Sequence, residues 1–176
     1  MSRKISFTVD DGLSVRKYVK VVLHCDGLRT IKKVELNLMV ILLVEDDLGI
    51  QFLIWKLLKA EGLTVLTAGD GKAALETSRN YPGSIDLLLS DVEMPWMGGL
   101  ELYQNISAER LGIKVLMMSG ELWGSQQASM NGLPFLQKPF TRTAIRDSIE
   151  ALLGPIPPLP MPLESVEHIR ENGLER

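Results

Sequence analysis

Four stretches of this chain end an apolar run on a side chain that could do chemistry. Glu45, Asp46 and Asp47 follow "VILLV", and Asp91 follows "LLLS". Ser119 closes "KVLMMS", and Lys138 follows "FLQ". Taken singly each is ordinary: an Asp or Ser after a strand serves as a cap or turn former, and a Lys as a solvated charge. Gathered in one place they are not. Carboxylates a few ångströms apart repel unless something neutralises them. A hard divalent cation does so, and Mg2+ takes one or two carboxylates, waters and a phosphoryl group. A carboxylate beside such an ion is a competent nucleophile for phosphorus, giving an aspartyl phosphate. A lysine then offers a point charge to the phosphoryl oxygens, and a hydroxyl offers a hydrogen bond. Asp91 is the natural nucleophile, because it stands alone opposite the acidic group at 45–47.

The elements around these residues explain how they could meet. Short Leu-rich or β-branched runs at 39–44, 63–68, 85–90, 113–119 and 134–138 alternate with longer segments of helical spacing. The first such segment places Ile50, Leu53, Ile54, Leu57 and Leu58 on one stripe and stops at Gly62. The second opens on Asp70 as a cap and ends before Tyr81-Pro82. The third puts Leu100, Tyr103 and Ile106 on one face. The fourth, "GELWGSQQASMNG", is short and poorly patterned, and the fifth runs from a Thr141 cap to Gly154. Strand runs without alternation imply cover on both faces, hence a parallel sheet. The expected fold is α/β: a doubly wound, five-stranded parallel sheet with helices on both faces. Such sheets place their sites at the carboxyl ends of the strands, where all four stretches terminate.

The 176 residues suffice for one domain with a full core. Net charge is −3, but residues 1–38 carry eight Lys and Arg against four Asp and Glu, which leaves the rest at −7. An acidic body argues against nucleic-acid binding, and no nucleic-acid partner is expected. Cys25 is the only cysteine, so an internal disulfide framework and paired-cysteine metal sites are excluded. The longest apolar run, Leu38 to Val44, is far short of a membrane span. Residues 1–20 lack a secretory apolar stretch, and a cytoplasmic location is expected. The organisation reads as an N-terminal extension (1–38), a domain (39–153) and a Pro-rich linker with a short tail (154–176). Within the extension, "YVKVVLHC" has strand character but no evident pairing partner. Met39 sits directly before the first strand of the domain, a candidate translation start. The linker "GPIPPLPMPL" holds five prolines in ten residues and suits an extended spacer.

In order, "VILLVEDD", "DLLLSDVEMPWMGGLEL", "VLMMSGE" and "FLQKPFT" resemble the successive motifs of the bacterial response-regulator receiver domain of the CheY-like, stand-alone type. The resemblance covers about residues 39–153 and implies a flavodoxin-like receiver fold. It implies Asp91 as phosphoacceptor, with Mg2+ held by Asp46, Asp91 and the backbone carbonyl of Glu93, and by Glu45 through water. It places Ser119 at the switch hydroxyl, Phe135 at the switch aromatic and Lys138 at the phosphate-pairing lysine, and makes Lys138-Pro139 a candidate cis bond. Asp47 has no role in this scheme beyond capping. The implied donor is a sensor histidine kinase or histidine phosphotransfer protein, and the implied output face is the fourth helix, fifth strand and fifth helix. The protein is then an acceptor rather than an enzyme, at most phosphorylating and dephosphorylating itself.

Two departures stand out. Met94-Pro95-Trp96-Met97-Gly98-Gly99 lacks the acidic residue that many members carry before the glycine, and the segment from Ser119 to Lys138 is short and Gly-interrupted. Glu93 and Glu121, two positions after Asp91 and Ser119, are placed to tune hydrolysis of the phosphoryl group. Trp96 and Trp123 are candidate contact residues, and Trp55 a structural one. The 23 residues after Leu153 are too few for a helix-turn-helix or catalytic unit, so output is expected through protein contact, phosphorelay or the tail. Three rivals remain. A haloacid-dehalogenase-type phosphatase would use Asp91 too, but wants an Asp where Glu93 stands. A dinucleotide enzyme would need a Gly-rich turn where "EDDLGI" places carboxylates. The third is a structural receiver that is never phosphorylated.

Overall fold

The computed structural model describes residues 39–121 and 129–156 with their side chains, and the backbone of 5–9, 17–25 and 28–36. The main body is a five-stranded sheet of order β5-β4-β6-β7-β8, every neighbouring pair parallel. Its strands are β4 (Val40–Val44), β5 (Thr64–Ala68), β6 (Leu87–Asp91), β7 (Lys114–Ser119) and β8 (Phe135–Gln137). The helices are α1 (Leu48–Ala60), α2 (Gly71–Asn80), α3 (Gly99–Glu109) and α4 (Arg142–Leu153). The expected fourth helix falls largely on 122–128, outside the described residues.

Period-two alternation sorts the strand residues between two apolar layers. Leu42, Val44, Leu88 and Met117 lie with Ala74, Leu75, Leu102 and Ile106 of α2 and α3. Ile41, Leu43, Leu87, Leu89, Leu116 and Met118 lie with Ile54 and Leu58 of α1 and Ile145 and Ile149 of α4. All five residues of β4 and of β6 are buried, so the uninterrupted apolar runs follow from cover on both faces. Each fully buried Leu or Ile stabilises the fold by roughly 2 kcal/mol relative to exposure.

Local chemistry sets the helix ends. Asp70 and Thr141 accept hydrogen bonds from the amides of Ala73 and Ala144 as N-caps. α1 ends with Gly62 at φ 83, its amide bonded to Lys59 and that of Leu63 to Leu58, while the side chains of Leu58 and Leu63 are buried. After α4, Gly154 takes φ 86 and the chain folds back. Ile156 packs under the helix and donates its amide to Glu150 Oε1 at 3.2 Å.

Two sequence expectations are corrected. On α1 only Ile54 and Leu58 are buried; Ile50 is 39% and Leu53 59% exposed. An apolar stripe this wide exceeds the width of the sheet surface it can cover. The N-terminal extension also has pairing: β1 (Ile5–Val9), β2 (Lys17–Cys25) and β3 (Leu28–Leu36) form an antiparallel meander. Cys25 pairs with Leu28, leaving Asp26-Gly27 between them, a dipeptide strongly favoured in two-residue hairpin connections.

Candidate functional site

The chain passes from β4 outward to β5, then returns to β6 and continues to the other edge. The order of the sheet therefore reverses between β4 and β6, which is where open α/β sheets open a crevice. Glu45 and Asp46 leave β4 at that point, and Asp91 ends β6. Lys138 follows β8 and is tied to β7 by its amide, which donates to Ser119 O at 2.8 Å.

The side chains converge. Lys138 Nζ lies 2.6 Å from Glu45 Oε2 and 2.6 Å from Asp91 Oδ2, bridging the ends of two strands. Glu45 is 1% exposed and Asp91 8%, while Asp46 faces solvent. The amide of Glu93 donates to Asp91 Oδ1 at 3.2 Å. Glu45, Asp46 and Asp91 each offer an oxygen within 4.8 Å of the others. A Mg2+ ion stands about 2.1 Å from its ligands, so oxygens on opposite sides are about 4.2 Å apart. Three hard oxygen donors on that scale, one of them solvent-facing, fit a small dication.

Charge is out of balance in this pocket. Burial pushes the Glu45 carboxyl above its usual range, against the lowering influence of Lys138. Burial alone would lower Lys138, but hydrogen bonds to and attraction by Asp91 and Glu45 outweigh it and raise its pKa. Glu93 is raised as well, by desolvation first and then by the charges of Glu121 and Asp91.

The other expected residues stand close by, not all in contact. Ser119 is fully buried, and its Oγ accepts from the Glu121 amide at 2.9 Å and donates to Glu121 O at 3.2 Å. The hydroxyl is engaged with its own loop, not with Asp91. Phe135 is half-buried and packs on the layer under α2 and α3. Lys138-Pro139 is cis. Asp47 caps α1, accepting from the Ile50 amide at 2.9 Å. Trp55 packs on the core and stacks on Phe52 with centroids 5.9 Å apart. Trp123 lies outside the described residues. Trp96 is 85% exposed, at φ 69, in a γ-turn closed by the Met97 amide on Pro95 O at 2.8 Å.

The glycine pair also resolves. Gly98 caps α3 with no side-chain bond, which is what the missing acidic residue removes. A Cβ on Gly99 would stand 2.2 Å from Asp91 O, so the helix start must have glycine to approach β6. One site residue escapes sequence reasoning. The Gln51 amide nitrogen donates to Glu45 O at 2.9 Å and Ala68 O at 2.8 Å. Its only sequence signal is a polar residue inside "GIQFLIW".

Comparison with known proteins identifies the family to which this domain belongs. The family described as the response regulator receiver domain matches residues 41–150. The chain is similar to chemotaxis protein CheY of Pseudomonas aeruginosa, 35% identical over 122 residues, covering 65% of this chain and 95% of that protein. It is similar to sporulation initiation phosphotransferase F of Bacillus subtilis, 32% identical over 117 residues, covering 64% and 92%. It spans only 12% and 26% of the length of two longer relatives, a sensor kinase and a transcriptional regulator. Among solved structures, the response regulator TrrA of Thermotoga maritima, in complex with Mg2+-BeF, aligns with a TM-score of 0.60 at 26% identity, covering 66% of this chain and 100% of that one. No helix among the described residues is long and apolar enough to cross a membrane. The chain belongs to the response-regulator receiver domain family, the phosphoacceptor signalling modules of two-component systems.

Proposed function

We propose that Asp91 accepts a phosphoryl group from the phosphohistidine of a sensor histidine kinase or histidine phosphotransfer protein, and that this switches the protein's contacts. The observation that carries the reading is Lys138 Nζ held 2.6 Å from both Asp91 and Glu45, beside solvent-facing Asp46. Asp46, Asp91 and the backbone carbonyl of Glu93 would hold Mg2+, with Glu45 acting through water. Bound there, the ion would neutralise charge on the carboxylates and on the phosphoryl oxygens.

A carboxylate oxygen of Asp91 forms the bond to phosphorus as the donor's phosphorus–nitrogen bond breaks. The imidazole nitrogen keeps the electron pair and takes a proton. Lys138 exchanges one carboxylate partner for a phosphoryl oxygen without moving far. Ser119 leaves Glu121 to donate to the phosphate, and Phe135 repacks into the space vacated. The phosphate favours that arrangement only through contacts the other lacks. Docking of the donor is supported by Leu48, Phe52 and Leu53 on α1, which are 75%, 59% and 59% exposed just beyond the acidic turn. The output face, on this reading, includes β8 and α4. On this reading the chain is a phosphoryl acceptor that at most phosphorylates and dephosphorylates itself. The phosphatase alternative is not favoured by the family match.

Incubation with Mg2+ and acetyl phosphate tests the reading. The expected result is a mass gain of one phosphoryl group in the wild type, absent in Asp91→Asn. An unmodified wild type, or an equally modified variant, would remove Asp91 from its role.

A further inference from the structure

The geometry points to Gln51 as a positioning residue for the cation pocket, setting its Mg2+ affinity without touching the ion. This rests on the reading of Glu45, Asp46 and Asp91 as a Mg2+ site.

The β4–β5 ladder makes its last bond where the Glu45 amide donates to Ala68 O at 3.2 Å. Beyond it β5 turns away through Gly69 into α2, and among the described residues no backbone amide donates to the Glu45 carbonyl. A half-buried carbonyl without a donor is costly, and a peptide unit without one is free to rotate. Half-buried Gln51 meets both needs, its one amide nitrogen donating a hydrogen to Glu45 O and another to Ala68 O. The Glu45 carbonyl belongs to the same rigid peptide plane as the Asp46 amide. Fixing that plane fixes how two of the three pocket carboxylates are carried. Gln51 is itself held at its backbone, its amide donating to Asp47 O at 2.8 Å, so its side chain and main chain clamp the turn from both sides. Groups that orient ligands from behind change metal affinity by about 10–100-fold when removed.

The test compares full-length wild type, Gln51→Met, which keeps length and loses both donors, and Gln51→Asn, which keeps the amide but is too short to bridge. Mg2+ is titrated against tryptophan fluorescence, and acetyl-phosphate labelling is measured at saturating Mg2+. Gln104→Met, at an exposed glutamine of α3, is the control. The expected result is a Mg2+ midpoint raised about tenfold in Gln51→Met and less in Gln51→Asn, with the saturating rate changed less than twofold. A merely structural role would lower melting temperature and saturating rate together and leave the midpoint alone, which would overturn the inference. Unchanged midpoints in both variants would do the same. A wild type indifferent to Mg2+ would instead overturn the Mg2+ reading itself, and the role of Gln51 with it.

Discussion

Gly99 and Asp91 are packed backbone against backbone: a Cβ on Gly99 would meet the carbonyl oxygen of Asp91 at 2.2 Å and Ser90 Oγ at 2.9 Å. The obstructing atom is main chain at the end of a central strand, so neither side can yield without moving Asp91. Gly99→Ala is expected to cost about 3 kcal/mol by overpacking and to slow labelling of Asp91. Gly69→Ala, with open space around its Cβ, serves as the comparison. Urea unfolding read beside acetyl-phosphate labelling decides it; equal midpoints for the two variants would contradict the close approach.

Lys138 carries a raised pKa because Asp91 and Glu45 outweigh its burial. The folded state therefore holds this proton more tightly than the unfolded chain. The stabilisation is complete below the ordinary lysine value of about 10.4 and is lost as pH rises through the higher folded value. Lys138→Met should be less stable than wild type at pH 8, and the gap in melting temperature should narrow above about pH 10.4. A gap that widens with alkaline pH would show the sign to be wrong.

Arg110 closes the end of α2 from 32 residues away, with Nε on Ser78 Oγ at 2.7 Å, Nη1 on Gly83 O at 2.5 Å and Nη2 on Ser78 O and Tyr81 O. A planar fork can reach these acceptors together; an ammonium cannot. Arg110→Ala is expected to cost about 2 kcal/mol, from charged hydrogen bonds lost and carbonyls left bare. Arg110→Lys should recover less than half of it. Full recovery by lysine in denaturant titrations would mean that charge alone matters there.

Neighbouring residues on α1 should behave oppositely. Ile54 is 2% exposed within the core, and Leu53 is 59% exposed. Ile54→Ala should lose about 2–5 kcal/mol, and Leu53→Ala less than about 0.5 kcal/mol. Leu53→Ala is instead expected to weaken capture by a phosphohistidine donor while leaving acetyl-phosphate labelling intact. Comparable losses of stability in the two variants would place Leu53 in the core after all.

Much of this protein was legible before any coordinates. β4 and β6 read as strands because burial on both faces demands unbroken apolar runs, and Asp70 and Thr141 read as caps because a cap acts three residues along the chain. The identities of Glu45, Asp46, Asp91 and Lys138 pointed to one pocket through a rule about strand ends. Tertiary structure alone decided the rest. Ile50 and Leu53 share the apolar character of Ile54, and only the placement of the sheet separates exposed from buried. Gln51 finds Ala68 at 17 residues' distance, and Lys138 finds Glu45 at 93. Residue type and spacing encode interactions that close within a turn or a strand. Pairings across such separations exist only once the whole core has set the distances, and those are the ones that orient the pocket.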